Sequence, residues 1–240
     1  MNELFSVLLL ALLPAAGNFF GGLLAEIRPI SARSLSLALH AAAGVVLAIV
    51  GVEIMPQALQ AEPAWVMVVA LVLGGLFYML IESWASSRLE QAGSDAGPWF
   101  IYLTVAIDLF SDGLMIGAGS SIDLRLGLLL ALGQVTADIP EGFATLASFR
   151  SRGMGRARRL WLGASFALPV LLGAGLGFGL VRSQPEIVKL ALLAFTAGIL
   201  MTLVVEEIVP EAHTGEEARS AALFFIGGFA LFTLLSVLVG

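Results

Sequence analysis

Four acidic residues stand as two pairs within strongly apolar surroundings. Asp108 and Asp112 lie in the segment AIDLFSDGLMIG, and Asp138 and Glu141 lie in the segment TADIPEG. The spacings of four and three residues place each pair on one face of a helix. Carboxylate oxygens are the ligands that hard divalent cations prefer, so two such helices side by side would offer a cation site.

The surroundings of these acids favour a bound cation as their neutralising partner. One charged side chain at the centre of a bilayer costs at least ~2.5–3.5 kcal/mol, which amounts to on the order of 10 kcal/mol for four. Neither apolar segment contains Lys or Arg, and like charges packed together oppose full ionisation. The acids must therefore be protonated, hydrated or paired with a cation. A protonated, hydrogen-bonded structural network is the alternative to a metal site.

The helices that must position these acids are membrane-spanning segments. The chain has 240 residues, of which 59% are hydrophobic and 12% charged, whereas soluble domains carry about 25% charged residues. A bilayer core of roughly 30 Å needs about 20 residues per helix. Eight apolar stretches are long enough: about 4–25, 36–58, 64–84, 99–119, 126–147, 160–181, 187–209 and 221–239. We predict an all-α membrane protein with eight transmembrane helices in a single domain spanning residues 1–240.

Composition also excludes several functions. The chain has no cysteine, so it has neither thiolate metal ligands nor thiol catalysis. No basic domain indicates nucleic-acid binding. The first apolar stretch has Glu3 and no Lys or Arg before it, and we interpret it as a retained helix rather than a signal peptide. The expected partners are divalent metal ions and the lipid bilayer, and a homodimer is compatible with the sequence.

Basic residues predict the orientation, because Lys and Arg concentrate in cytoplasmic loops. The connections after predicted helices 2, 4 and 6 hold Arg125, Arg182 and Lys189. The connections after helices 1, 3, 5 and 7 hold nine arginines: Arg28, Arg33, Arg88, Arg150, Arg152, Arg156, Arg158, Arg159 and Arg219. Both termini are therefore predicted to lie outside the cytoplasm, most simply across a bacterial inner membrane.

An internal repeat links predicted helices 2 and 7. Residues 43–58 align without gaps on residues 197–212, and seven of the sixteen positions are identical, including a shared Glu-Ile-x-Pro. Because the two helices are predicted to cross the membrane in opposite directions, this is the pattern of an inverted repeat, which many secondary transporters contain. Helices 1–3 would then correspond to helices 6–8, with helices 4 and 5 between them.

Further metal-ligand candidates lie near the ends of helices 2 and 7. The stretch EEIVPEAH contains Glu206, Glu207, Glu211 and His213, which could form a metal exit path or a solvated helix end. Glu53, the counterpart of Glu207, is a candidate entrance residue. His40 has no partner evident from the sequence and is interpreted as structural.

These motifs resemble those of the ZIP (Zrt/Irt-like) metal transporters, in particular their GufA-like bacterial branch. The resemblance rests on DGLMIG at 112–117, IPEG at 139–142 and EEIVPE at 206–211, on helices 4, 5 and 7. It implies a divalent metal transporter with one metal site formed by Asp108, Asp112, Asp138 and Glu141. The transported cation would be Zn²⁺ or a similar ion, and no separate cofactor is implied.

The chain departs from the family pattern at several positions. Asp108 and Leu109 stand where the family has histidine and asparagine, and Leu168 stands where metal-paired members have a glutamate before a proline. A site without imidazole would have only oxygen ligands, which favours Mn²⁺ or Fe²⁺ over Zn²⁺. These departures put a second metal site in doubt.

Other functions remain open on the sequence alone. A degenerate family member could sense metal or act as a scaffold, and protonatable carboxylates would also suit a proton-coupled carrier of another solute. An intramembrane aspartyl protease is disfavoured, since Tyr102 is not followed by Asp and no Gly-x-Gly-Asp occurs. We therefore expect a transporter and not an enzyme.

Overall fold

Eight long helices follow one another along the chain. The computed structural model describes residues 3–27, 31–91, 97–213 and 220–239, and every regular element in these parts is helical. Arg28 and Arg219, two of the arginines used to predict orientation, lie outside the described residues. The helices are α1 (Glu3–Ile27), α2 (Ala32–Ala58), α3 (Trp65–Gln91), α4 (Gly97–Ile122), α5 (Leu124–Ser151), α6 (Arg156–Val181), α7 (Glu186–Ala212) and α8 (Ala221–Val239).

Seven of the helices, all except α5, are long and apolar enough to cross a membrane. Helix α5 has 28 residues, which rise about 42 Å at 1.5 Å each. That length exceeds the hydrocarbon core of a bilayer, roughly 30 Å, but Asp138 and Glu141 lower its hydropathy. The predicted all-α membrane architecture is confirmed, with α5 packed against α1, α2 and α4.

Helices α2 and α7 share an irregularity at the repeat. Each contains a π-helical turn, Ile49–Ile54 in α2 and Val204–Ile208 in α7, followed by one short α-helical segment. A π-helical turn accommodates one extra residue in a helix and is frequent at functional sites. Glu53 and Glu207, which the repeat aligns, both lie within these turns.

Close glycine contacts repeat across the two halves of the chain. A Cβ at Gly44 of α2 would collide with the carbonyl of Phe225 in α8, and a Cβ at Gly198 of α7 would collide with the carbonyl of Leu71 in α3. Each residue of the first pair lies 154 positions from its counterpart in the second. Because small residues allow membrane helices to approach closely, the repeat encodes the same helix contact twice.

The helices that hold the acids, α4 and α5, also make close glycine contacts that correspond between the two halves of the chain. Gly21 of α1 lies against the carbonyl of Ile139 in α5, and Gly173 of α6 lies against the carbonyl of Phe110 in α4. Helix pair α1–α5 therefore corresponds to pair α6–α4. The final turn of α7 packs against the first part of α2, while the final turn of α2 packs against the first part of α7. These two helices run antiparallel, so the predicted inverted repeat is present in the fold.

One end of the bundle is rich in arginine, and we call it the arginine end. There the guanidinium of Arg159 donates to both carboxylate oxygens of Glu26, at 2.6 and 2.8 Å, and it also donates to the carbonyl of Met154. Arg156 lies 3.6 Å from the same carboxylate. The side chains of Glu26 and Arg159 are only 5% and 10% exposed, so this ion pair connects the end of α1 to the start of α6.

Candidate metal centre

Three of the four predicted ligands meet between α4 and α5. Asp108, Asp138 and Glu141 each offer one carboxylate oxygen, and these oxygens lie within 4.8 Å of one another. The two aspartates are buried and Glu141 is half-buried. Oxygen ligands bind Zn²⁺ at about 2.0–2.2 Å, so small side-chain rotations would let one cation contact all three.

Two oxygens of this cluster lack the partners that buried polar atoms normally have. Asp108 Oδ1 and Asp138 Oδ2 are buried without a hydrogen-bond partner. Within the described parts of the chain, no Lys, Arg or His forms an ion pair with any member of the cluster. More than about 90% of buried polar groups in proteins are hydrogen-bonded, so the two orphaned oxygens make this cluster a candidate ligand site. The donor set fits a divalent cation.

Asp112, the fourth predicted ligand, lies beside this cluster and not within it. It is fully buried one turn along α4 from Asp108, and its Oδ1 accepts a hydrogen bond from the side-chain amide of Gln134 in α5. Its other oxygen has no partner, and neither has the Ser111 hydroxyl. Asp112 can therefore join a cation only by rotating away from Gln134 or by using its second oxygen.

Asn18 of α1 was not predicted as a site residue. It is 0% exposed, and neither its amide nitrogen nor its amide oxygen has a hydrogen-bond partner. Its backbone lies directly against Gly142, the residue after Glu141, while Gly17 packs on Val135. Asn18 therefore lies at the level of Asp138 and Glu141 on the adjoining helix. A lone amide within an apolar helix was the available sequence signal.

A cavity of about 470 Å³ leads from Glu141 to the arginine end. Its polar lining includes Glu141 and Thr145 on α5, Arg152 just after α5, Glu82 on α3 and the acids Glu206, Glu207 and Glu211 on α7. Glu207 is half-buried and accepts a hydrogen bond from the hydroxyl of buried Tyr78. Three of the four predicted exit residues thus share one cavity with a residue of the carboxylate cluster.

The remaining predicted site residues lie away from this cavity. His213 is exposed at the end of α7, and its ring lies against that of His40 in α2, with 4.9 Å between the ring centroids. Glu53 lies toward the opposite end of the bundle, where it accepts hydrogen bonds from Gln57 at 3.0 Å and Ser236 at 2.8 Å. The structure therefore brings neither residue to the central cluster.

Comparison with known proteins decides the family. The family model described as ZIP Zinc transporter matches residues 85–236, which include the carboxylate cluster and the acids of α7. The zinc transporter ZupT of Shigella dysenteriae is 31% identical over 221 residues, covering 85% of this chain and 86% of that protein. The chain belongs to the ZIP family of zinc transporters.

Two further relatives agree with this assignment. ZupT of Escherichia coli O81 is 30% identical over 255 residues and covers 97% of this chain and 98% of its own length. The zinc transporter ZIPB of Bordetella bronchiseptica is 30% identical over 147 residues, which is 59% of this chain and 46% of that protein. Membership of the ZIP family establishes a multi-pass membrane protein of the divalent-metal transport class. The family is one of transporters, as predicted, and not of enzymes.

Proposed function

We propose that the chain carries Zn²⁺ or a similar divalent cation across the bacterial inner membrane through a site formed by Asp108, Asp138 and Glu141. The observation that supports this most directly is the buried carboxylate cluster with two orphaned oxygens and no cationic partner among the described residues. A cation would offset the electrostatic cost of gathering these acids within the membrane. Asn18 would contribute an amide oxygen, and Asp112 its free carboxylate oxygen.

The cation would leave toward the arginine end. The cavity that includes Glu141 is lined further along by Glu206, Glu207 and Glu211, which would attract a cation stepwise away from the cluster. Basic residues mark the cytoplasmic side of membrane proteins, so this route leads into the cytoplasm. Glu53, near the other end of the bundle, would then belong to the entrance.

Ligand chemistry suggests which ions compete for the cluster. Every side chain in the cluster binds through oxygen, whereas zinc sites in proteins usually include nitrogen or sulfur ligands. We therefore propose that Mn²⁺ and Fe²⁺ compete effectively with Zn²⁺ for transport. Uptake of radioactive Zn²⁺ in the presence of excess Mn²⁺ measures this competition. Uptake that is unaffected by a hundredfold excess of Mn²⁺ would contradict the proposal, and strong inhibition would support it.

Reconstitution in liposomes tests the carboxylate site itself. We expect the wild type to take up Zn²⁺, and an Asp138→Asn/Glu141→Gln double variant to lose at least about 100-fold in uptake, since changes to groups that merely support ligands already cost about 10–100-fold. Asp123→Asn is the matched control. It makes the same chemical change on the residue that caps the start of α5, where asparagine caps as well as aspartate.

The outcomes separate the proposal from its alternatives. Wild-type uptake with loss in the double variant and retention in the control supports the proposed site. Undiminished uptake by the folded double variant would place the ion path elsewhere. Zn²⁺ binding without uptake in the wild type would favour a metal sensor over a transporter.

A further inference from the structure

The two histidines of the chain come together at the arginine end. They are the only imidazoles in the sequence, and the fold pairs His40 near the start of α2 with His213 at the end of α7. The rings meet edge to face, with 4.9 Å between centroids and 63° between ring planes. His40 is 8% exposed, whereas His213 is exposed. The pair is therefore anchored in the protein on one side and open to solvent on the other.

The hydrogen bonds of the two rings determine which nitrogen carries the proton. Nδ1 of His40 lies 2.7 Å from the carbonyl oxygen of Ser36, and Nδ1 of His213 lies 2.7 Å from that of Val209. A carbonyl oxygen can only accept, so each Nδ1 donates its hydrogen. In the neutral rings both Nε2 atoms then present lone pairs. Histidines that bind metals usually donate their other N–H to a backbone carbonyl in this way.

The distance between the rings suits a shared metal ion. Two imidazoles that bind one Zn²⁺ through Nε2 at about 2.0–2.1 Å in tetrahedral geometry place their centroids about 5 Å apart. The observed separation is 4.9 Å. Neither Nε2 has a hydrogen-bond partner among the residues that the structure describes, so within those residues both lone pairs are open to a metal ion.

We propose that His40 and His213 form a second binding site for Zn²⁺ or another borderline divalent cation, completed by water. The site lies at the arginine end, the end of the bundle to which the cavity from Glu141 also leads. The ligands of this second site are nitrogen atoms, whereas those of the carboxylate cluster are all oxygen atoms. The site stands on its own geometry and does not depend on the proposed transport route.

Cu²⁺ is a suitable probe, because it binds imidazole strongly and is paramagnetic. The full chain, purified in detergent with its affinity tag removed, is loaded with one equivalent of Cu²⁺. Pulsed electron paramagnetic resonance detects the remote nitrogen of each bound imidazole, which is the ring nitrogen that does not coordinate the ion. The signal therefore counts the imidazoles bound to Cu²⁺. We expect two imidazoles in the wild type, one in His40→Gln, one in His213→Gln and none in the double variant. Added Zn²⁺ should displace the signal.

Two further variants keep the experiment decisive. The Asp138→Asn/Glu141→Gln variant should retain the two-imidazole signal, which separates failure of the histidine site from failure of the carboxylate site. His213 is exposed at a helix end, so its replacement tests the pair even where replacement of buried His40 impairs folding. A wild type that shows one imidazole or only oxygen ligands would overturn the proposal. So would a two-imidazole signal that survives in His213→Gln.

Discussion

Replacement of Gly142 by alanine tests whether close packing of α1 on α5 holds the carboxylate cluster in place. A Cβ at Gly142 would overlap the carbonyl oxygen of Asn18 and lie 2.6 Å from its carbonyl carbon and 2.8 Å from its Cα. All three are backbone atoms, so no side-chain rotation relieves the overlap. Carbon atoms in contact normally lie about 3.5–4.0 Å apart, which leaves a shortfall of about 1 Å.

The expected effect is a loss of both stability and transport. Overpacking of this kind typically costs about 1–3 kcal/mol, because backbones must shift. Separation of α1 from α5 would also move Asp138 and Glu141, which precede Gly142 on the same helix, relative to Asp108. We therefore expect a lower melting temperature and at least a tenfold slower uptake of Zn²⁺ in liposomes.

A matched control makes the result interpretable. Gly175 of α6 has no atom within 4 Å of the position where its Cβ would stand, so Gly175→Ala adds the same methyl group to another membrane helix without a collision. The melting temperatures of the two variants and the wild type are compared by heating samples and measuring the remaining folded protein by size-exclusion chromatography. If Gly142→Ala melts and transports like Gly175→Ala, the contact does not hold the site, and the argument from helix packing fails.

Two more predictions concern buried polar groups. Asn18→Leu should stabilise the cation-free protein, since an unpaired buried amide costs about 1–3 kcal/mol. The same variant should bind Zn²⁺ more weakly in a calorimetric titration. Equal affinity of the variant and the wild type would show that Asn18 is not a ligand. Glu26→Gln should destabilise the protein by about 1.5–3 kcal/mol through loss of charged hydrogen bonds from Arg159, as measured by thermal melting. Arg182→Gln is its control, because Arg182 forms an exposed ion pair with Glu3, with 3.7 Å between the charged groups, and exposed pairs contribute little to stability. Equal melting temperatures of the two variants would contradict this reasoning.

The sequence predicted the helices and the repeat well, because both leave periodic signals. The apolar stretches of the sequence predicted all eight helices, including α5, whose acids lower its hydropathy. The Glu-Ile-x-Pro shared by α2 and α7 coincides with the region of their π-helical turns. The turns themselves could not be predicted, since one extra residue in a helix changes neither composition nor hydropathy. Their effect is a change of helix face for every side chain that follows.

Prediction of the site was less complete, because contacts between helices depend on packing. The spacing of the acids along the two helices was enough to predict Asp108, Asp138 and Glu141 as candidate ligands. The fold places the carboxylates of these three residues close together. The spacing also suggested Asp112 as an equal partner, but Gln134, which lies close to it in space, holds one of its oxygens. The contact of His40 with His213 arises from antiparallel packing of α2 and α7, which brings together opposite ends of the repeat.

The low hydropathy of α5 has a consequence for how the protein is made. Acidic side chains at a helix centre each cost at least ~2.5–3.5 kcal/mol during insertion, so α5 is a poor substrate for lateral release into lipid by itself. Helices α1 and α4, which pack against it, are synthesised earlier and offer it a polar partner surface. The acids of α5 therefore constrain biosynthesis, apart from their proposed role in transport. Replacement of Asp138 or Glu141 by an apolar residue would ease entry of the helix into the bilayer at the expense of the cation it is proposed to hold.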